Sequence, residues 1–410
     1  MEVLYTCCAG LDVHKSSVVA CVRKVEDGRV LREVRTFGTT TSQLLALSDW
    51  LTERGCTHVA MEATGVYWKP VWHILEASFE LVLANAQHIR NVPGRKSDVN
   101  DATWIADLLA HGLIRGSFVP EGPVQQLRDL TRTRKQLVRE VAQHVNRVHK
   151  TLEDANLKLG SVVSDVLGKS GRSILDALVA GETDPARLVA LTHNRLRASP
   201  EELLEALRGR VTDHHRFLLR LHLEQIDALG RAITGLDARI EEVGSPFVER
   251  VERLITLPGL SRTAAWVVVG EIGVDMTRFQ QPERLVSFAG LCPRMDESAG
   301  KKRSTRLRQG AEWLKTTLVS CGWAAARSKD TYYRAQFQRL KARRGPTKAV
   351  VAVSASLLTA IFFILRDGTT FRDLGPNYFD RCQRQKAVQR LTRRLADLGY
   401  SVKLEPAVAA

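Results

Sequence analysis

Four carboxylates in the first quarter of the chain are the residues best suited to chemistry: Asp12, Glu62, Asp98 and Asp101. Asp12 lies in GLDV and Glu62 in HVAME, and a charge inside such an apolar run is costly to bury unless a partner or a metal compensates it. Asp98 and Asp101 are three residues apart, so on a helix they would share one face. Four converging carboxylates repel one another unless divalent cations neutralise them.

Divalent cations would give these acids a defined chemistry. Hard carboxylate oxygens favour Mg²⁺ or Mn²⁺. Two such ions about 3.5–4 Å apart activate a nucleophile and stabilise the leaving oxygen in phosphodiester cleavage. Each acid also has a structural alternative: Asp12 as a strand end, Glu62 in an ion pair, Asp98 as an N-cap and Asp101 as a first-turn charge. The four together indicate a metal site more strongly than any one of them alone.

The segments around the acids predict an α/β scaffold. Three strand-like stretches come first, YTCCAGLDV, SSVVACVRKV and RVLREVRTFG, with EDG as the turn between the last two. The helical stretch TSQLLALSDWLTERG follows, with a threonine cap at its start and Gly55 at its end. CTHVAMEATG and FELVLANA are predicted strands on either side of the helix YWKPVWHILEAS. This order predicts a mixed sheet covered by helices.

The remainder of the chain is predicted to be mostly helical. Apolar residues recur every three or four positions from Val138 to Leu152 and from Ile226 to Val243, a narrow stripe typical of a coiled coil. We expect a long helical hairpin that packs against itself or another subunit, with loops and short helices between its arms. The predicted domains are an α/β domain at 1–120, a helical coiled-coil linker at 121–246, a mostly helical domain at 247–375 and a basic tail at 376–410.

The charge of the chain points to a polyanionic partner. The formal net charge is +15, and nucleic acid is the first candidate, with an anionic membrane as the competitor. The apolar run 349–365 is shorter than the roughly 20 residues of a membrane-spanning helix, so a buried core helix is expected. No signal peptide begins the chain. The seven cysteines include no C-x-x-C pair, which argues against a zinc site or a disulfide framework and fits the cytoplasm.

The most basic part of the chain is the stretch 301–345. Thirteen cations there face only Glu312 and Asp330. Five aromatic residues are interleaved with them: Trp313, Trp323, Tyr332, Tyr333 and Phe337. Phosphate contacts from the cations and base stacking by some of the aromatics are expected, with a solvated helix face as the alternative. Upstream, the turn around Gly259 and Ser261 is either a phosphate-binding helix-hairpin-helix or a simple helix–helix turn.

Three motifs around the acids resemble one family. GLDVHK at 10–15, MEATG at 61–65 and KSDVNDA at 96–102 are similar to the DEDD-type transposases of insertion sequences, which are described as bridge-RNA-guided recombinases. The resemblance implies a RuvC-like N-terminal domain with an RNase H-like fold, in which the four acids bind the catalytic metals.

The resemblance continues after the predicted coiled coil. LPGL at 257–260, FAGLCPR at 288–294 and ESAGK at 297–301 are similar to the C-terminal transposase domain of the same family. There a serine in a Ser-Gly-Gly-like turn is the proposed nucleophile on DNA, which implies this role for Ser298, although Ala299 stands where a glycine is usual. The residues expected to contact nucleic acid are Gly259, Ser261, Lys301, Lys302, Arg303, Arg306 and Arg308.

The resulting hypothesis is a DNA recombinase whose metal carboxylates and Ser298 are assembled across domains or subunits. It implies element and target DNA, a guide RNA, and a homodimer or homotetramer at the nucleoid of a prokaryotic cytoplasm. Three alternatives remain. They are a metal-dependent nuclease or junction resolvase that uses water, an ATPase of the sugar-kinase or actin class, and a non-catalytic nucleic-acid-binding protein.

Overall fold

The computed structural model describes residues 3–63, 65–85, 89, 101–114, 116–120, 122–193, 198–294, 296–298, 301–304, 306–382 and 384–403. At 296–298, 301–303, 380 and 384–387 the description is limited to the backbone. The chain divides into two compact units, Met1–Val119 and Pro120–Ala410. The division of the second unit at 246 and 375 remains a prediction.

The first unit is built on a mixed five-stranded sheet in the order β3-β2-β1-β4-β5. Its strands are β1 (Cys7–Val13), β2 (Ser17–Glu26), β3 (Arg29–Gly38), β4 (His58–Glu62) and β5 (Glu80–Ala84). The neighbours β3, β2 and β1 are antiparallel, whereas β1, β4 and β5 are parallel. All five predicted strands are present. Asp27 and Gly28, both with positive φ, form the predicted tight turn between β2 and β3.

Helices cover both faces of this sheet. Helices α1 (Thr41–Glu53) and α2 (Trp68–Leu75) pack on one face, and α3 (Asp101–Ala110) packs on the other. The result is an α/β domain of the RNase H-like kind that the resemblance implied. A threonine, Thr40, occupies the N-cap position of α1 as expected, but its side chain makes no capping hydrogen bond.

The second unit is largely helical. Its helices are α4 (Gly122–Asp154), α5 (Leu159–Val162), α6 (Lys169–Ala180), α7 (Pro185–Ala190), α8 (Pro200–Ala206), α9 (Asp213–Val243), α10 (Val248–Leu254), α11 (Arg262–Ile272), α12 (Pro282–Phe288), α13 (Glu312–Arg327), α14 (Tyr332–Arg344), α15 (Pro346–Asp367), α16 (Tyr378–Cys382) and α17 (Arg384–Asp397). A two-stranded hairpin of β6 (Asp296–Ser298) and β7 (Lys301–Ser304) lies between α12 and α13.

The two long helices α4 and α9 pack against each other in opposite directions. Asp154 pairs with His215 near one end of the pair, and Arg134 pairs with Asp237 toward the other. This is the predicted helical hairpin. The predicted apolar stripe is wrong at its first position, because Val138 is 43% exposed. Between the arms, the short helices α5 to α7, and Leu207 directly after α8, share a buried apolar core with the ends of α4 and α9.

In the rest of the second unit, the helices α10, α12, α13 and α14 pack around α15. This helix has 22 residues and is long and apolar enough to cross a membrane, although 56% of its most apolar window is buried inside the protein. Val353, Leu357 and Ile361 are fully buried. The length argument against a membrane span is therefore wrong, since the helix extends beyond the apolar run. Its burial accords with the expected core helix.

Candidate functional site

Asp12 and Glu62 occupy equivalent positions on two neighbouring parallel strands. β1 and β4 pair in a register that places Leu11 opposite Met61, and the two acids are the next residues along. Leu11 and Met61 are buried beneath α1 and α2. Because side chains alternate along a strand, both carboxylates lie on the opposite face, which α3 covers. The predicted delivery of two acids by the ends of two strands is therefore confirmed.

A glycine brings α3 close to this face. A Cβ atom at Gly10 would lie 2.3 Å from the carbonyl oxygen of Ala102 and 2.3 Å from the amide nitrogen of Ala106. No side chain fits between the strand and the helix at that point, so glycine is required. The contact lies two residues before Asp12 on β1.

The direction of α3 places its first residue near the two acids. At its far end, the amide of Leu4 donates to the carbonyl oxygen of Ala110 over 2.8 Å, at the start of β1. The helix therefore runs antiparallel to β1. Its first residue, Asp101, lies toward the end of the sheet that carries Asp12 and Glu62.

The predicted metal site is not complete in the part of the chain that the structure describes. Asp98 lies outside the described residues. Within them, no group of three or more His, Cys, Asp or Glu side chains is close enough to hold a metal ion. Asp12, Glu62 and Asp101 thus share one face and one end of the sheet without forming a closed ligand set.

The surroundings of the acids favour oxygen ligands. Asp12 is partly exposed, and its Oδ2 lies 3.2 Å from Nε2 of His14. Two thiols, Cys8 and Cys21, are buried between the sheet and α3. Burial raises the pKa of Cys8 to about 12 and also raises the pKa of Cys21. Both thiols therefore stay protonated at neutral pH.

A buried ion pair that the sequence analysis missed also holds α3 in place. Arg23 on β2 is 3% exposed, and its Nε donates to Oδ1 of Asp107 over 3.0 Å. The exposed Arg32 on β3 donates to the same carboxylate. The signal was available, because Arg23 interrupts an apolar strand just as Asp12 does.

Ser298 ends β6 and pairs with Lys301 on β7. Lys302 lies opposite Glu297 in the same hairpin, and Arg303 follows on β7. Three predicted phosphate-binding cations are therefore on the strand that follows the serine. Ala299 lies outside the described residues.

The base of the β6–β7 hairpin carries the other two predicted cations. Arg306 and Arg308 are both exposed. The amide of Arg294 donates to the carbonyl oxygen of Arg306 over 2.7 Å, and Nη1 of Arg308 donates to Oγ of Ser287 over 2.8 Å. These contacts tie the base of the hairpin to α12 and leave both residues accessible to solvent.

The turn before α11 has structural roles for both residues singled out in it. Oγ of Ser261 accepts a hydrogen bond from the amide of Ala264 and so caps α11. Gly259 has a φ of +83°, and a Cβ atom there would lie 2.5 Å from the amide nitrogen of Ala325. Both roles fit a helix–helix turn, and phosphate binding by this turn remains a prediction.

Two of the five aromatic residues of the basic stretch are buried. Tyr333 and Phe337 are 2% and 6% exposed and so cannot stack on bases, whereas Trp323 is 36% exposed. The ring of Trp313 is faced by three cations of α4, at 5.3–5.6 Å from its centroid: Arg132, Lys135 and Arg139.

Two family models match the chain. One, a transposase model of the DEDD type of IS110 elements, matches residues 9–157 and includes all four acids. The other, described as the transposase of the IS116/IS110/IS902 family, matches residues 251–338 and includes Ser298. Together the two matches cover more than half of the 410 residues. No curated protein matches the chain. The chain therefore belongs to the IS110 family of transposases and is a DNA transposase.

Proposed function

We propose that this transposase cuts and rejoins DNA strands with two groups of residues, four metal-binding acids and a serine nucleophile. The proposal rests mainly on the positions of Asp12 and Glu62. Asp12 directly follows Leu11 and Glu62 directly follows Met61, and these two residues lie opposite each other on the parallel strands β1 and β4. The helix that begins at Asp101 packs on the same face and points its first residue toward the same end.

The acids that would hold the cations are Asp12, Glu62, Asp98 and Asp101. The donor set suits Mg²⁺ or Mn²⁺, because it consists of hard carboxylate oxygens. When bound, such ions stabilise negative charge on the oxygens of a reacting phosphodiester. The contribution of the protein is the close approach of α3 to β1 at Gly10, which restricts the movement of Asp101 relative to Asp12.

Ser298 would form a covalent bond to the DNA. Its Oγ attacks the phosphorus atom while the bond from phosphorus to one sugar oxygen breaks. The hydroxyl proton passes to a base and the leaving oxygen takes up a proton, so the step consumes none overall. Attack by a sugar hydroxyl of another strand then releases Ser298 and joins the strands. The exposed Arg306 and Arg308 would bind phosphates beside this hairpin.

A guide RNA is the further partner that we propose, together with a dimeric or tetrameric assembly in the cytoplasm. Its test is to purify the full-length protein from its native host and sequence the RNA that accompanies it. One abundant structured RNA that matches two DNA sites would support guidance. A random mixture of RNA, from protein that still binds DNA, would favour an unguided enzyme.

Strand cleavage by substituted proteins tests the two groups of residues. Asp101→Asn and Ser298→Ala are each expected to lower the cleavage rate by about 10³-fold or more. The first removes a proposed metal-binding carboxylate that would stabilise the transition state, and the second removes the proposed attacking hydroxyl. DNA binding should survive in both. Asp49→Asn, an exposed acid of α1, and Ser320→Ala, at an exposed position of α13, are the matched controls and should cleave normally.

Denaturing gels separate the serine mechanism from its alternative. Wild-type protein should leave a fraction of the DNA covalently attached to the chain, and Ser298→Ala should leave none. Normal cleavage by Ser298→Ala would instead indicate a nuclease that uses water. Normal cleavage by Asp101→Asn would remove that residue from the metal site.

A further inference from the structure

A groove rich in arginine runs along α14, and half of its lining residues lie beyond residue 338, where the second family match ends. It consists of two adjoining cavities of about 390 and 510 Å³, which share Ala335 and Pro376. We call it the α14 groove. The charged residues that line it are the cations Lys329, Arg334, Arg339, Arg343 and Arg390 and the acid Asp330.

The outer wall of the α14 groove is held in place by aromatic contacts. The ring of Phe379 stacks on Tyr332 at a centroid distance of 5.0 Å, and the ring of Phe371 stacks on Tyr333 at 5.6 Å. The backbone amide of Tyr332 also donates to Oδ1 of Asp373 over 3.0 Å. The segment after α15 is therefore packed onto α14, and the groove is a built feature of the second unit.

The charge of the groove is unbalanced. Among the side chains that the structure describes, five cations and one acid line it, so its surface favours an anionic ligand. The aromatic contacts keep the two walls together, and Cζ of Arg339 lies 5.4 Å from the ring centroid of Phe379.

The shape of the groove selects among polyanions. Arg334 and Arg343 are nine positions apart on α14, about 13 Å along the helix axis and half a turn around it, so they lie on opposite edges of the helix face that lines the groove. Successive phosphates of one strand of B-form DNA rise by about 3.4 Å along the axis, so cations spaced in this way can contact more than one phosphate. A flat anionic membrane would engage cations on a convex face, whereas these cations line a concavity between two walls.

We propose that the α14 groove binds the phosphodiester backbone of a nucleic-acid strand. The inference goes beyond the catalytic proposal, since it involves neither the four acids nor Ser298. It assigns a role to the segment after α15, which the sequence alone left unassigned. RNA and DNA share this backbone chemistry, and the experiment distinguishes them.

The test is equilibrium binding by the full-length protein in EDTA, so that metal-dependent cleavage does not interfere. The probes are single-stranded RNA, single-stranded DNA and duplex DNA of equal length, measured across a range of salt concentrations. The groove variant is Arg334→Gln/Arg343→Gln. The control variant is Lys341→Gln/Arg344→Gln, which removes the same charge from exposed positions of α14 that do not line the groove.

The groove variant is expected to bind at least one of the three probes more weakly. The slope of log K against log salt should fall in magnitude by about 0.7 per lost contact for a single strand, or about 0.9 for duplex DNA. The probe that shows this change identifies the bound strand. The control variant should keep the wild-type slope, and Arg334→Lys/Arg343→Lys should restore binding because lysine still contacts phosphate as a point charge.

Three outcomes would overturn the inference. One is equal weakening in the groove and control variants, which would reflect total charge alone. Another is an unchanged slope in the groove variant for all three probes. The third is loss of binding to anionic lipid vesicles by the groove variant with nucleic-acid binding intact. Thermal melting of each variant confirms that it is folded before binding is compared.

Discussion

Single charged residues inside apolar segments serve different purposes in this transposase. Arg23 is buried and pairs with a carboxylate of α3, and Glu271 is 1% exposed and is held by Arg132 through two hydrogen bonds of 2.7 and 2.8 Å. Asp12 keeps contact with solvent. The sequence alone therefore identifies a charged residue inside an apolar run. The exposure of its side chain in the structure then distinguishes a buried ion pair that holds two elements together from a carboxylate that is open to a ligand.

A histidine pair between the long helices gives the second unit a dependence on pH. Nδ1 of His144 lies 3.3 Å from Nδ1 of His222, and Arg147 lies beside His144. Burial, His144 and Arg147 lower the pKa of His222. The unfolded chain therefore binds a proton at pH values where folded His222 stays neutral. The stability of the helical pair should fall as pH drops below about 6.5, the ordinary pKa of histidine.

Thermal melting between pH 7.5 and about 5, a range that brackets the ordinary histidine pKa, measures this effect. His222→Gln should flatten the fall in melting temperature at acid pH, because it removes the group that takes up the proton. His214→Gln, at an exposed position of the same helix, should melt with the wild-type profile. An identical acid profile in His222→Gln and wild type would show that the pair does not govern stability.

Contacts between elements determine whether the acids of the first unit can act together. Periodicity predicted the strands that carry Asp12 and Glu62, because alternation within a strand is local information. The approach of α3 to β1 was not predictable, because it depends on Gly10 meeting a helix that begins some 90 residues later. The same limit explains Val138, whose expected place in an apolar stripe is exposed.

Gly10→Ala tests the importance of this contact. Its Cβ would overlap the backbone of α3, so the helix must move away from β1. We expect the first unit to lose about 1–3 kcal/mol of stability, and strand cleavage to fall more than DNA binding, since Asp101 moves with the helix. Thermal melting and cleavage assays measure the two effects.

The matched control for this substitution is Gly116→Ala in the same unit. A Cβ there would lie 3.6 Å from Cγ1 of Val82, an ordinary contact, and the substitution should be tolerated. Wild-type cleavage and stability in Gly10→Ala would show that the spacing of α3 and β1 is not required for catalysis.

At the scale of the whole molecule, each unit has its own hydrophobic core. Among the residues that the structure describes, the buried clusters of the first unit draw on residues up to 119, and those of the second unit on residues after 120. Composition and periodicity predicted an α/β part followed by a helical part, because both are properties of short local stretches of the sequence. They did not predict that Tyr333 and Phe337 would be core residues, since burial there depends on packing against distant helices.

Separate cores predict that the first unit folds without the second. A fragment of residues 1–119 contains the complete sheet, α1 and α2 on one face and α3 on the other, so both faces are covered. Far-ultraviolet circular dichroism should show a cooperative thermal transition. A fragment of residues 1–100 lacks α3 and exposes the apolar face around Cys8 and Ala60. It should melt without a cooperative transition or aggregate, because a sheet with one bare apolar face lacks a closed core.

A gradual loss of signal from the 1–119 fragment would mean that the first unit needs the rest of the chain to fold. Equal cooperativity in the two fragments would mean that α3 positions Asp101 without contributing to the stability of the sheet.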